Sequence, residues 1–218
     1  MRKTRVETAQ TRERIVSGAG SLIRERGLGN VSVAQLMANA GLTHGGFYAH
    51  FDSREQLVHE AIRFALAQSA QRIYQSALKD GGRPGYSRLI ERYLTPAHRD
   101  NPQSGCALAS LGSEVGRDSD EVRTVFSEEL GAFITLLAKL SPERTPKARR
   151  NHFLGVISAL TGALVLARAV NDARAIPPPP LCRAALRLGA AKGLHRARPW
   201  RLARRASPAP PRGPHPAR

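Results

Sequence analysis

The stretch AQLMANAGLTHGGFYAHFDSREQL, Ala34 to Leu57, decides how this chain of 218 residues folds. Just before it, Ser32 followed three residues later by Gln35 has the spacing of a capping box, so a helix is expected to start after Ser32 and turn Leu36, Met37 and Ala40 inward until Gly41 stops it. Thr43 can cap a short following helix that runs through Gly46, Phe47, Tyr48, His50 and Phe51. Asp52-Ser53 then caps a long helix whose apolar stripe is Leu57, Val58, Ala61, Ile62, Ala65, Leu66 and Ile73. Two short helices joined by a glycine-containing turn make the shape that enters a DNA major groove. Leu36, Ala40, Leu42 and Phe47 can hold the pair together. The outer face of the second helix keeps Thr43, His44, Gly45, Gly46, Tyr48 and His50, a set that builds a poor core. It suits close approach to a duplex, because the glycines remove bulk while hydroxyl and imidazole groups can donate to phosphates.

Working outward, Ala9 to Arg26 places Ile15, Ala19, Leu22 and Ile23 on one helical face, and Gly27 closes that helix. Downstream, the long helix should end near Leu78, ahead of a turn at Gly81-Gly82-Arg83-Pro84-Gly85. Helical periodicity returns in Tyr86 to Leu94, Cys106 to Val115, Asp120 to Leu140 and Lys147 to Val170, between Pro or Gly breaks. With few aromatics and no long β-branched runs, the fold class is all-α: a three-helix DNA-binding domain with a helix-turn-helix, followed by a larger helical domain. The expected boundaries are 1–53 for the first domain, 54–78 for a connecting helix, 79–172 for the second domain and 173–218 for a basic, Pro- and Arg-rich tail.

The formal net charge of +17 would suggest a polyanionic partner, but its distribution changes the inference. Arg174 to Arg218 holds 11 of the 34 basic residues and no acid, so the body up to Asp172 carries 23 basic against 17 acidic residues. Cys106 and Cys182 stand far apart without metal-ligand spacing, which implies neither a disulfide framework nor a zinc site, and no metal or cofactor is expected. A cytoplasmic protein with no membrane partner fits this, because the N-terminal segment lacks an apolar signal core and Val156 to Ala167 reads as too short to span a bilayer. No nucleophile elbow, metalloprotease, P-loop or dinucleotide motif occurs. His44, His50, His59, His98, His152, His195 and His215 are scattered without a recurring acid partner, which argues against an enzyme.

The residues Ala40, Gly41, Leu42, Tyr48, His50, Phe51, Ser53 and Leu57 resemble, in identity and spacing, the helix-turn-helix signature of the TetR family of transcriptional regulators. The resemblance implies phosphate contacts from Ser32, Thr43, Tyr48, His50 and Arg54, and groove contact from His44, Gly45 and Gly46. Arg54 stands where the family generally has Lys; it keeps the charge and adds a donor. Because glycines 45 and 46 read no base through a side chain, sequence preference would fall to His44, Gln35 and DNA shape. Phe47 and Phe51 read either as core or as part of the outer face, with packing favoured. Arg2, Lys3, Arg5, Arg12 and Arg14 form either a basic arm or a solvated terminus.

Family members pair through helices near the carboxyl end, which implies a homodimer on a palindromic operator of double-stranded DNA. Lys147 to Val170 is the candidate, with Gly155, Ser158, Ala159 and Gly162 offering small surfaces; a central core helix is the other reading. The resemblance also implies a small-molecule effector held among the middle helices, for which Leu89, Tyr93, Cys106, Leu108, Leu111, Phe126, Phe133 and Phe153 are candidate liners. Ser104-Gly105-Cys106 resembles an element of a subset of the family. A thiol at a helix amino end is biased towards thiolate, so Cys106 is either an electrophile sensor or a small buried hydrophobe. Pro177 onward holds ten of the fifteen prolines. This tail is either a basic extension that adds nonspecific DNA affinity or the product of a shifted reading frame. A nonspecific basic nucleic-acid binder is the rival that the tail favours.

Overall fold

The computed structural model describes residues 4–78 and 85–171. The expectations for the turn around Gly81, for Cys182 and for the basic tail lie outside these residues. Among the described residues every regular element is helical, as the composition implied.

Helix α1, Arg5–Arg26, begins four residues earlier than the apolar pattern suggested, because Thr4 and Glu7 form a capping box that periodicity alone does not register. It stops at Gly27, whose φ of 89° excludes a side chain at low cost. Helix α2, Val33–Asn39, starts on the expected Ser32–Gln35 box, with the Gln35 amide N–H donating to Ser32 Oγ at 3.3 Å and the Ser32 N–H donating to Gln35 Oε1 at 2.9 Å. Gly41 provides the turn at φ 69°. The next segment, His44–Ala49, departs from expectation. It is a 3-10 helix of six residues, and Thr43 makes no side-chain cap bond to it. The long helix α3, Arg54–Leu78, has the expected bounds and the expected buried stripe except for Ile73, which is half-buried.

The second half follows as α4 (Gly85–Tyr93), α5 (Pro96–Asp100), α6 (Ala107–Val115), α7 (Asp120–Leu137) and α8 (Pro146–Ala169). The short α5 was not legible from periodicity. Thr95, whose hydroxyl accepts from the His98 N–H, and Pro96 at the first helical position start it. Helix α3 packs on α1 at one end and on α4 and α7 along its length. One continuous core runs from Met37, Phe47 and Phe51 through Leu57, Ile62 and Leu66 to Phe133, Phe153 and Leu160.

Helix α8 bears out its reading as a core helix on one face and leaves the other exposed. Phe153, Val156, Ile157, Leu160, Leu164 and Ala167 are buried. Leu154, Gly155, Ser158, Ala159, Gly162, Val165 and Leu166 are exposed and run along the opposite side. The helix is also longer than the apolar run alone implied: its 24 residues are enough in length and apolar character to cross a membrane, which corrects the expectation of too short a stretch. Its buried stripe is instead packed on the core of its own chain.

Candidate DNA-binding face and ligand cavity

The outer face of the helix-turn-helix is built by elimination of its inner one. Phe47 and Phe51 are each 1% exposed and stack at 5.7 Å between centroids, so both are core residues. Packing them inward leaves Tyr48 73% exposed, its ring edge-on to Phe47 at 5.2 Å. Thr43, His44 and Gly45 are exposed, Gly46 and His50 half-buried. A Cβ on Gly45 would meet nothing within 4 Å, and one on Gly46 would make only ordinary contact with Met37. Neither glycine is therefore required by packing within the chain. Ser32 and Gln35 are exposed at the start of α2, but their side chains are already engaged in capping each other.

Two basic residues behave differently from the reading of the sequence. Arg54 is half-buried and its Nη2 donates to the carbonyls of Leu28 and Val31 at 2.8 and 3.2 Å, so it clamps the loop before α2 from the start of α3. Arg12 is neither a free arm nor a solvated charge. It pairs with Glu60, its Nη2 lying 2.6 Å from Oε1; its Nε donates to the His50 carbonyl at 3.3 Å; and its guanidinium lies 4.6 Å from the centroid of the Phe51 ring. These contacts tie α1, α3 and the end of the recognition segment together, which fixes the exposed face against the rest of the domain.

A second connection crosses to the distal domain. The Leu28 N–H donates to Glu114 Oε2, near the end of α6, at 2.6 Å. The missing Cβ of Gly27 would lie 2.6 Å from the other carboxylate oxygen. Glycine is thus needed here twice, for its φ and for the close approach of Glu114.

At the opposite end of α6 lies a cavity of about 180 Å³, bounded by α3, α4, α5 and the Ser104–Cys106 segment. Of the expected liners, Leu89, Tyr93 and Cys106 reach it, whereas Leu108, Leu111, Phe126, Phe133 and Phe153 do not. The reason is packing: Leu111, Phe133 and Phe153 are at most 1% exposed and fill the core itself. The reading from sequence missed Ser69, Arg72, Ile73, Ser76, Arg92 and His98, because α3 was read for its apolar stripe and α5 was not seen.

The cavity floor is a hydrogen-bonded network. The Cys106 N–H donates to His98 Nε2 at 2.9 Å, which leaves Nδ1 to carry the imidazole proton and donate to the Tyr93 carbonyl at 2.6 Å. Burial holds His98 below its usual pKa, consistent with this neutral tautomer. Ser69 accepts from the Ala107 N–H at 3.1 Å and donates to the Ala65 carbonyl at 2.7 Å. Arg168 of α8 closes the back, donating from Nη2 to the His98 carbonyl at 3.0 Å and from Nε to that of Arg99 at 3.1 Å. Cys106 is 1% exposed, and burial pushes its thiol up despite the Tyr93 hydroxyl and the Leu108 and Ala109 N–H groups that favour thiolate. Desolvation therefore outweighs the helix-end effect on which a reactive Cys106 would depend.

Against known proteins, the family model for bacterial regulatory proteins, tetR family, matches residues 15–61. The chain is 30% identical over 175 residues to an uncharacterized HTH-type transcriptional regulator of Mycobacterium tuberculosis, covering 74% of this chain and 86% of that one. It is 26% identical over 148 residues to the HTH-type transcriptional repressor NemR of Escherichia coli, covering 66% of this chain and 71% of the repressor. The solved reduced form of E. coli NemR superposes with a TM-score of 0.63 at 20% identity, over 82% of this chain and 96% of that one. A TetR family regulator from Cytophaga hutchinsonii gives 0.67 at 17% identity, over 87% and 98%. At these identities the two structures establish the fold.

Proposed function

This chain belongs to the TetR family of bacterial regulatory proteins, DNA-binding transcription regulators with an N-terminal helix-turn-helix, and on that premise we propose that it is a ligand-responsive repressor. It works in the cytoplasm, where it binds a palindromic operator as a homodimer and is released by a small molecule. The observation that carries the DNA side is the exposed set Thr43, His44, Gly45 and Tyr48, held on a buried Phe47–Phe51 base that has no other use for them. Ser32, Gln35 and His50 flank that set, while Arg54 serves it indirectly by fixing the loop ahead of α2.

Dimerisation is supported by the outer side of α8. Gly155, Ser158, Ala159, Gly162, Val165 and Leu166 share one exposed face, and a Cβ on either glycine would meet nothing within 4 Å. Such a face is apolar, smooth and unoccupied by its own chain, which suits close helix contact. A two-fold pair can set its recognition segments one DNA turn, roughly 34 to 36 Å, apart. The cavity beside Cys106 is the seat of the effector, and an effector moves the equilibrium only by binding the non-DNA conformer more tightly. Release by an electrophile gains no support from Cys106, whose thiol is buried and raised.

The test is selection of bound sequences from random duplexes, followed by a gel-shift titration with excess competitor. A recovered inverted repeat, bound at two protomers per duplex, supports the reading. Binding that random duplex competes away equally well would replace it with nonspecific nucleic-acid affinity.

A further inference from the structure

The cavity beside Cys106 is surrounded by more positive charge than nearby groups neutralise. Among the described residues no Asp or Glu lines it, while Arg72 and Arg92 do. Arg72 spends one donor, from Nη1 to the Ser104 carbonyl at 2.7 Å, and a guanidinium has five. Behind it, Arg24 is only 3% exposed; its Nη1 and Nη2 reach the Ala65 carbonyl at 3.4 Å and Gln68 Oε1 at 3.0 Å, and its Nε has no partner. Burial and the neighbouring charge of Arg72 lower Arg24 to about 10, which places the two guanidinium groups in one another's field. On the far side, Arg168 donates to the carbonyls of His98 and Arg99 and to Ser110 Oγ, and its Nη2 lies 2.8 Å from where a Gly105 Cβ would sit.

Guanidinium groups from α1, α3 and α8 thus converge on Ser104–Cys106, and every hydrogen bond they make is to a neutral oxygen. Taking charge out of water without a counter-ion is costly, and the usual remedy is a carboxylate partner. Among the described residues none pairs with the buried Arg24 or the half-buried Arg168, and the more exposed Arg72 presents its remaining donors at an open cavity. Arg92 adds a second charged side chain to the lining, and the rest of the wall is apolar or neutral: Ile73, Leu89, the Tyr93 ring, His98 and the hydroxyls of Ser69, Ser76 and Ser104. A cavity of about 180 Å³ is slightly larger than the roughly 150 Å³ engineered void that admits benzene.

We propose that this cavity takes a small organic anion, a carboxylate carried on a single ring or a short apolar stem, with Arg72 as its principal charged contact. Arg72 can meet a carboxylate with two parallel N–H bonds, and the field of Arg24 and Arg168 favours the anion over its neutral counterpart. The proposal rests on the reading of this cavity as the effector seat, but concerns only the charge and size of what enters it.

Calorimetric titration of the full chain with sodium benzoate and with benzamide, its neutral isostere, tests this at fixed ionic strength. Benzoate is expected to bind at least about tenfold more tightly than benzamide. Arg72→Gln should abolish that preference and Arg72→Lys should retain most of it, with unchanged circular dichroism in both, since Arg72 is not part of the core. Equal binding of the two compounds, no binding of benzoate across the millimolar range, or an unchanged preference in Arg72→Gln would each overturn the proposal. Operator binding is measured separately. A chain that prefers benzoate but selects no operator leaves the anion site standing and removes the repressor reading; a chain that selects an operator without anion preference does the reverse.

Discussion

The contact between Leu28 and Glu114 allows a double-mutant prediction with a definite sign. The bond joins a backbone N–H to a carboxylate at 2.6 Å, and bonds to charged groups contribute about 1.5–3 kcal/mol when shielded. Glu114 is half-buried, so solvent screening brings the expected cost of Glu114→Ala to the bottom of that range or just below it, about 1–2 kcal/mol, or roughly 2–8 °C of Tm for a chain of this size. Gly27→Ala introduces two costs. Its φ of 89° with ψ of 165° is accessible essentially to glycine, which costs about 1–3 kcal/mol. The new methyl would also lie 2.6 and 2.7 Å from the Glu114 oxygens, so the carboxylate must leave and the Leu28 bond is lost with it.

In the double variant the backbone strain remains, but the bond can be lost only once. The combined cost should therefore fall short of the sum of the single costs by about the value of Glu114→Ala alone, roughly 1–2 kcal/mol. Denaturant unfolding of the four proteins, at matched m-values, measures this. Additive costs to within about 0.5 kcal/mol would refute the reasoning, as would a Glu114→Ala variant indistinguishable from the parent.

Tyr48→Ala should weaken operator binding severalfold while leaving Tm unchanged, because the side chain is 73% exposed; Phe47→Ala, by contrast, should cost about 3–5 kcal/mol in denaturant unfolding. Burial holds His98 below the ordinary imidazole value of about 6.5, so as pH falls the unfolded chain takes its proton first. The stability this group contributes is complete above about 6.5 and is lost as pH falls through that value towards the folded pKa; Tm scans from about pH 7.5 to 5 should show a shallower decline in His98→Gln, whose amide can still accept from Cys106 and donate to Tyr93. Alkylation of Cys106 in the native protein, followed by mass spectrometry, should be much slower than in denaturant, since the thiol is buried and raised; equal rates would restore it as a sensor.

What the sequence made legible was the local chemistry of helix ends and apolar stripes. Ser32–Gln35, Gly41 and the α3 stripe are interactions over three to seven residues, and they appear where the spacing placed them. The same logic failed where distant residues decide the outcome. The family resemblance assigns Arg54 a phosphate, and the sequence leaves Arg12 in either a basic arm or a solvated terminus. Their partners within the chain, the carbonyls of Leu28 and Val31 for one and Glu60 and the Phe51 ring for the other, come from other elements. The cavity was half found for a related reason. Its apolar members share the pattern of a core, and pattern cannot separate Leu89, which lines it, from Leu111, which does not. Its missed polar members stand on the flank of α3, at Arg92 of α4 and on a five-residue helix too short to show a period.

The same set of distant contacts shows how the two ends of the molecule are joined. Helix α6 is capped by Cys106, beside the cavity, and near its end holds Leu28 through Glu114, while Arg54 holds the carbonyl of that same residue. Ser69 of α3 bonds both to the first turn of α6 and to Ala65, whose carbonyl Arg24 of α1 also approaches. An occupant that draws Arg72 or the Ser104–Cys106 segment inward therefore acts on two rigid elements that each end at the DNA-binding domain. Helices transmit such shifts as units, because a packed core does not absorb them continuously. The double variant at Gly27 and Glu114 consequently bears on regulation as well as stability. If α6 carries the signal, cutting its hold on Leu28 should leave ligand affinity intact while reducing the effect of ligand on operator binding.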